Sequence, residues 1–243
     1  MRNYAEELEL RVEFIRRQLS DAHADGIVFG NSGGKDSALV GILCRKATPN
    51  VLGVIMPCQS KRNYGEDTDD ANDLSRQFGI ENITVDLSDT KAQIVAAIEK
   101  AHSIKDNASA NIAPRLRMTT LYTIGQTKNY LVAGTGNRSE RTMGYFTKWG
   151  DGAFDFNPIG DLTATEVFEF LRYLGAPENI VTKAPSAGLY EGQTDETEMG
   201  ITYADLDRYI LTGEGSDEVR AKVDGVYART EHKRRLPPIY GEE

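Results

Sequence analysis

Apolar and polar residues alternate along this chain with two different periods, which predicts strands and helices in turn. Residues 2–22 carry an apolar stripe at helical spacing, as expected of an amphipathic helix. Four short apolar runs are typical of strands buried on both faces: GIVFG (26–30), VLGVIM (51–56), ITVDL (83–87) and YLVAG (130–134). Further helices are predicted over 36–46, 66–78, 89–102, 115–128, 163–174, 202–211 and 215–230. Strands that alternate with helices indicate an α/β fold, a doubly wound parallel sheet flanked by helices.

Two polar segments begin where predicted strands end. GNSGGKDS (30–37) follows the first strand and GTGNRSE (134–140) follows the fourth. In parallel sheets, ligands bind outside the carboxyl ends of the strands. The sequence therefore predicts that both segments lie on one rim of the sheet and form a binding site. Two further segments are predicted to be loops beside that site: 141–158, which is rich in glycine and aromatic residues, and 182–200.

The segment GNSGGKDS has the composition of an anion-binding turn. Backbone N–H groups at a helix N-terminus attract anions, and glycine lets a phosphate approach closely. The Walker A pattern fails, because Asp36 stands where Ser or Thr is required and Phe29 stands where the first glycine belongs. The dinucleotide fingerprint fails too, because Ser32 replaces its second glycine. A plain glycine-rich turn between strand and helix is the alternative interpretation.

Composition and charge exclude several classes of protein. The 243 residues carry a formal net charge of −9, whereas a duplex-binding protein needs a basic face. No apolar stretch is long enough to span a membrane, and the N-terminus lacks the pattern of a signal peptide. Cys44 and Cys58 do not form a C-x-x-C pair, so reduced thiols are expected. We expect one cytoplasmic domain over residues 1–243, with no nucleic-acid or membrane partner.

The sequence S-G-G-x-D-S within residues 32–37 resembles the pyrophosphate loop of the N-type ATP pyrophosphatases. Further segments follow in order: NIAPRLRM (111–118), GTGNRSE (134–140), GYFTKWGDGAFDFNPIGDLT (144–163), KAPSAGLYEGQTDETEMGITYADLD (183–207) and TEHKRRLPP (230–238). Together they resemble the ammonia-dependent NAD synthetases, archaeal members in particular, over nearly the whole chain. The resemblance implies an adenine-nucleotide α-hydrolase-like, Rossmann-like fold. It also implies that deamido-NAD, ATP and ammonia give NAD, AMP and pyrophosphate through an adenylylated carboxylate.

The resemblance also implies roles for individual residues. Asp36 and Glu140 would bind Mg²⁺ as the metal cofactor. The residues that would bind the co-substrate ATP are Gly30, Asn31, Ser32, Gly33, Gly34, Lys35, Asp36, Ser37, Thr135 and Ser186. The residues that would bind deamido-NAD are Arg115, Lys148, Asp155, His232 and Lys233. Each of these charged side chains has a plainer alternative as a solvated surface or helix-end residue. Asp155 is also a candidate acid beside the reacting carbonyl. Phe146 and Trp149 are candidates either to stack on the nicotinate ring or to anchor their loop.

One position departs from the family pattern. Family members commonly carry a lysine where this chain has Ala164. The candidates to supply that positive charge are Lys183, Lys35 and the pair at 61–62.

The nitrogen source and the assembly follow from the same resemblance. Only about 25 residues precede the first predicted strand, so we expect no glutaminase domain and free ammonia as the nitrogen source. The resemblance implies a symmetric homodimer. Two other classes stay open: another ATP pyrophosphatase, such as a GMP synthetase or a tRNA sulfurtransferase, and a nucleotide sensor without turnover.

Overall fold

Four parallel strands form the centre of the molecule. The computed structural model describes residues 2–59, 64–183 and 194–241. The strands in these residues are β1 (Gly26–Gly30), β2 (Val51–Ile55), β3 (Glu81–Thr84) and β4 (Tyr130–Val132), in the order β3-β2-β1-β4. Each neighbouring pair is parallel. The predicted α/β fold with a parallel sheet is confirmed.

Helices connect the strands and form the C-terminal part of the described chain. They are α1 (Tyr4–Asp21), α2 (Lys35–Ala47), α3 (Glu66–Phe78), α4 (Ser88–Glu99), α5 (Asp106–Ala110), α6 (Ile112–Lys128), α7 (Arg138–Met143), α8 (Ala164–Tyr173), α9 (Glu178–Thr182), α10 (Asp195–Met199), α11 (Tyr203–Thr212), α12 (Asp217–Arg229) and a 3₁₀ turn (Glu231–Lys233). All the predicted helices are present, with ends that differ by three residues or fewer. No helix in the described ranges is long and apolar enough to cross a bilayer.

Several boundaries differ from the prediction. The third strand occupies residues 81–84 instead of 83–87, because its ladder begins where Glu81 aligns with Leu52. Two predicted loops contain short helices, α7 and α10, and neither α5 nor α9 was expected. Helix α7 is only six residues long, too short to show an apolar period. It begins at a capping box in which the Asn137 and Glu140 side chains each accept a hydrogen bond from the other's backbone N–H.

The two faces of the sheet are covered by different helices. Ile27 and Phe29 in β1 are fully buried in a cluster that contains side chains of α1, α2, α3 and α8. Val28, between them, belongs to a second cluster against α6. Successive strand residues point to opposite faces, so both faces must be apolar when both are covered. This doubly covered strand explains the continuous apolar run of residues 26–30.

The strand order places the two polar segments at one crevice. After β1 the chain adds β2 and β3 on one side, and it then adds β4 on the other side of β1. Connections that leave neighbouring parallel strands in opposite directions open a crevice at their carboxyl ends, where ligands bind in such sheets. Residues 30–37 follow β1 and residues 134–140 follow β4, so both segments reach this crevice.

Truncation of a core leucine should destabilise this fold far more than truncation of a surface leucine. Leu43 in α2 is fully buried in the first cluster, whereas Leu211 in α11 is 49% exposed. We expect Leu43→Ala to lower the free energy of unfolding by about 2–5 kcal/mol, because it leaves a cavity in the core. Leu211→Ala, the matched control, should change it by about 0.5 kcal/mol or less. Urea unfolding measures both, and equal losses would contradict this assignment of the core.

Candidate active site

A cavity of about 690 Å³ opens at the crevice between β1 and β4. Its walls come from the segments after both strands, the N-terminal part of α6, the loop 144–153 and the 3₁₀ turn. It brings together most of the predicted site residues: Gly30, Asn31, Ser32, Gly34, Lys35, Asp36, Ser37, Arg115, Thr135, Glu140, Lys148, His232 and Lys233. Segments that are distant in sequence therefore form one site.

Residues 30–37, the phosphate loop, turn sharply into α2. Gly33 has φ of 72°, and a Cβ there would lie 2.1 Å from the backbone oxygen of Asp67, so only glycine fits without strain. Gly34 is the N-cap of α2, and its N–H donates to Ser32 Oγ over 3.3 Å. The Ser37 hydroxyl donates to the Gly34 carbonyl over 3.0 Å. The first turn of α2 thus lines the cavity, and N–H groups at a helix start are suited to bind an anion.

Asn31 contributes to this loop in a different way from the one its position suggests. Its side chain is 1% exposed. The amide Nδ2 donates to the Ala71 carbonyl, Ser75 Oγ and Asn82 Oδ1, each over 3.2 Å. These bonds tie the loop to α3 and β3. The Asn31 backbone N–H donates to the Val54 carbonyl over 2.9 Å. The predicted contact of Asn31 with ATP stays a prediction.

Asp36 and Glu140 approach each other through one fully buried residue, Asn137. Asn137 Nδ2 donates to Asp36 Oδ1 over 3.0 Å, and the Asn137 backbone N–H donates to Glu140 Oε2 over 3.0 Å. Burial and the neighbouring Asp36 carboxylate raise the pKa of Glu140. Two carboxylates held this close favour a cation between or beside them.

Lys35 supplies one such cation from the protein itself. Its ammonium is buried and lies 2.5 Å from Asp36 Oδ2. Burial alone would lower the pKa of Lys35, but Asp36, Glu140 and Asp195 raise it above its usual value, so the group stays charged. Asp195, at the start of α10, accepts a hydrogen bond from Tyr203 Oη over 3.0 Å. The acids therefore share one buried lysine as a positively charged partner.

The donor set fits a magnesium ion. Mg²⁺ in proteins is typically held by one or two carboxylates, with substrate phosphates and water completing its shell. Asp36 and Glu140 offer two carboxylates at the edge of the phosphate loop. Within the described residues, no group of three or more His, Cys, Asp or Glu side chains could hold a metal alone. A magnesium ion held by these two carboxylates would take its other oxygen ligands from water or a bound phosphate.

The opposite wall of the cavity is cationic, and it is fastened by the C-terminal 3₁₀ turn. Lys233 Nζ donates to the carbonyls of Gly144 and Phe146, each over 2.8 Å. Lys148 Nζ donates in return to the His232 carbonyl over 2.7 Å. Burial and the nearby arginines Arg115 and Arg234 lower the pKa of Lys233. This wall concentrates positive charge where an anionic substrate would lie.

Four predicted site residues lie apart from the cavity lining or outside the described chain, and the first of them is Gly33, which turns against Asp67. Asp155 does not line the cavity; its Oδ2 accepts the Val132 N–H over 2.7 Å and its Oδ1 accepts Tyr122 Oη over 3.1 Å. Trp149 is 51% exposed and also lies outside the lining, whereas Phe146 contributes to it. Ser186 lies outside the described residues. Their predicted contacts stay predictions.

The candidates to replace a lysine at Ala164 differ in their surroundings. Ala164 is 1% exposed and packs in an apolar cluster with Tyr203 and neighbours from α7 and α10–α12. Lys183 lines the cavity, and its ammonium contacts Asp67 Oδ1 at 2.8 Å and Asp70 Oδ2 at 2.5 Å. Lys35 lies against Asp36 as described above. Residues 61–62 fall outside the described ranges.

The sequence analysis did not single out several residues that line the cavity or position its side chains. Asn137 was visible as the N-cap of an N-x-x-E capping box, a signal that sequence can carry. Arg117 lines the cavity two residues after Arg115, and its Nε donates to the Met56 carbonyl over 3.1 Å. Asp195 is 3% exposed, in a segment that we predicted to be a loop. No local pattern marks Arg117 or Asp195.

Comparisons with known proteins agree with this geometry. The family model NAD synthase matches residues 7–237. The chain is 51% identical over 240 residues to the NH(3)-dependent NAD(+) synthetase of Carboxydothermus hydrogenoformans, with 98% of each chain covered. It is 43% identical to the archaeal enzyme of the same name from Archaeoglobus fulgidus, over 98% of this chain and 97% of the relative. A solved structure of NMN synthetase from Francisella tularensis superposes with a TM-score of 0.93, 34% identity and 100% of both chains covered.

These findings confirm the predicted fold and family. The parallel sheet with its flanking helices is the adenine-nucleotide α-hydrolase fold. The similarity extends to archaeal relatives, as the sequence motifs indicate. The chain therefore belongs to the NAD synthase family, and it is an ATP-dependent ligase that forms a carbon–nitrogen bond.

Proposed function

We propose that this protein amidates the carboxylate of deamido-NAD with free ammonia, while ATP is converted to AMP and pyrophosphate. The observation that carries this proposal is the junction of the phosphate loop, the Asp36–Glu140 pair and the cationic wall in one cavity. A triphosphate and a carboxylate-bearing dinucleotide are both anionic. The cavity offers a helix start, paired acids for a metal and a row of cations to receive them.

The proposed reaction has two steps. The nicotinate carboxylate attacks the α-phosphorus of ATP, and pyrophosphate leaves from the side of the phosphate loop. Ammonia then attacks the carbonyl carbon of the mixed anhydride, loses a proton, and AMP leaves. The first step activates a carboxylate that is otherwise a poor electrophile because it is anionic. Catalysis then depends on positioning and charge stabilisation more than on a nucleophilic side chain.

The chain's residues serve these steps by position. The N–H groups of the phosphate loop would bind the leaving pyrophosphate, and Thr135 would approach the nucleotide from the end of β4. Asp36 and Glu140 would hold Mg²⁺, which neutralises charge on the triphosphate. The phosphates of deamido-NAD would bind to the cationic wall, at Arg115, Lys148, His232 and Lys233. The expected contacts of Ser186 with ATP and of Asp155 with deamido-NAD belong to the same proposal.

We also propose that the protein is a cytoplasmic homodimer with a single domain over residues 1–243. Large apolar side chains near the C-terminus, Leu236, Ile239 and Tyr240, are exposed and could be covered by a second copy. Sedimentation equilibrium tests the assembly, and a particle of 26.8 kDa would contradict the dimer.

A second candidate substrate is nicotinate mononucleotide. The specific observation is the TM-score of 0.93 and complete coverage of both chains with the NMN synthetase of Francisella tularensis. The mononucleotide carries the same reacting carboxylate but only one phosphate. A site built for it would need fewer cations than the wall described above, so the cationic wall favours the dinucleotide.

Ammonium should support product formation and glutamine should not. Purified protein with ATP, Mg²⁺ and deamido-NAD should form NAD when ammonium chloride is added, measured with alcohol dehydrogenase. A parallel reaction with glutamine should stay at background, because the proposal includes no glutaminase. Product from glutamine alone, in protein purified to homogeneity, would overturn the proposed nitrogen source. Absence of product from either reaction, with ATP still bound, would favour the sensor hypothesis.

The two candidate substrates should differ in their specificity constants. With ammonium in excess, chromatographic measurement of NAD and nicotinamide mononucleotide gives kcat/KM for each acid. We expect deamido-NAD to exceed nicotinate mononucleotide by about tenfold or more, since one additional phosphate contact with the cationic wall contributes more than about 1.4 kcal/mol. The reverse order would make this protein a mononucleotide-amidating enzyme.

The loss of Asp36 should abolish the reaction through the metal. Asp36→Asn keeps the shape but removes the charge, and we expect turnover to fall by about 100-fold or more. The binding of Mg²⁺ in the presence of ATP, measured by calorimetry, should weaken in parallel. Asp73→Asn on the exposed face of α3 is the matched control and should behave like the wild type. Normal turnover in Asp36→Asn would exclude Asp36 as a metal ligand.

A further inference from the structure

Lys35 occupies an unusual place for a lysine in a phosphate-binding loop. It is 6% exposed and begins α2, and its Nζ lies 2.5 Å from Asp36 Oδ2. The same Nζ lies 5.5 Å from the ring centroid of Tyr203 and 5.7 Å from that of Phe168. Aromatic rings within about 6 Å attract a cation. The ammonium is therefore held at a defined position, between α8, α11 and the acids.

This position makes Lys35 a competitor of any metal that binds Asp36. Asp36 Oδ2 is taken by Lys35, and Oδ1 is taken by the Asn137 amide. The Asn137 amide that donates this bond carries no charge, and it fixes Asp36 next to Glu140. A divalent ion near Asp36 is therefore not repelled by Asn137. The Lys35 ammonium, in contrast, repels a second cation at such short range. A metal that binds Asp36 Oδ2 would therefore compete with Lys35.

Lys35 also lies beside the place where the proposed ATP phosphates would bind. Its backbone lies at the N-terminal end of α2, where helix N–H groups would bind phosphate oxygens. A lysine side chain is a flexible stem with a point charge at its end. The ammonium can therefore turn from the carboxylate to a phosphate while its backbone keeps its place.

We propose that Lys35 is an exchangeable counter-ion, which pairs with Asp36 in the protein alone and moves to a phosphate oxygen of ATP when Mg²⁺ takes Asp36. This inference rests on the proposed ATP and Mg²⁺ site and adds to it a role for Lys35. Its consequence is a coupling between the two ligands. Mg²⁺ alone has to displace an ammonium without a new partner for it, whereas Mg²⁺ with ATP supplies that partner. ATP and Mg²⁺ then raise each other's affinity partly through Lys35.

Removal of the Lys35 charge should move two affinities in opposite directions. In Lys35→Met, Mg²⁺ alone should bind about threefold or more tighter, because no ammonium competes for Asp36. The Mg²⁺ complex of α,β-methylene-ATP should bind about tenfold weaker, because one charge-assisted contact with phosphate is lost. Isothermal titration calorimetry at one pH measures both dissociation constants. Lys46→Met, in the last turn of the same helix, is the matched control and should change neither.

Lys35→Gln serves as the second variant in case Lys35→Met does not fold, and thermal melting checks both. It should reproduce the opposite shifts. A loss of both affinities would mean that Lys35 only supports the structure, and unchanged affinities would mean that it contacts neither ligand; either result overturns the exchange. Failure of the wild-type protein to bind the ATP analogue would overturn the proposed ATP site itself. The wild-type titration thus separates failure of the function from failure of this inference.

Discussion

The contact between Asp36 and Asn137 joins the two halves of the active site. Asp36 follows β1 and Asn137 follows β4, so their hydrogen bond connects the ends of two strands that are about a hundred residues apart in the chain. Asn137 also caps α7, and the same cap fixes the carboxylate of Glu140. The placement of the acids therefore depends on one buried amide. The position of that amide in turn depends on the pairing of β4 with β1. The same pairing forms the crevice at the carboxyl ends of the two strands.

Charge is distributed unevenly around this contact. The chain has a net charge of −9, yet the cavity has a buried lysine beside its acids and a cationic wall opposite them. Buried charges are tolerated only when they are paired, and each group here has an oppositely charged or dipolar neighbour. The positive and negative groups therefore lie in separate parts of one cavity.

Close packing keeps the phosphate loop and the cationic wall in place. The backbone of Gly33 touches that of Asp67, which leaves no room for a side chain. The wall is closed by reciprocal contacts, since Lys233 binds the loop carbonyls and Lys148 binds the carbonyl of His232. The C-terminal 3₁₀ turn thereby becomes part of the site. Residues of the cavity are therefore positioned by backbone contacts with segments that are distant in sequence.

Local patterns in the sequence determined the helices, the apolar strands and the phosphate loop, because periodicity and steric freedom of glycine act over a few residues. They also brought Asp36 and Glu140 forward as metal-binding candidates through the family motifs. Tertiary structure alone decided that the Asn31 amide points into α3 and β3, that Asp155 bonds to β4 and Tyr122, and that Lys35 lies against Asp36. It also decided the start of β3 and the short helices α5, α9 and α10. These features depend on partners distant in the chain, and the direction of a side chain is set by those partners and not by its neighbours in sequence.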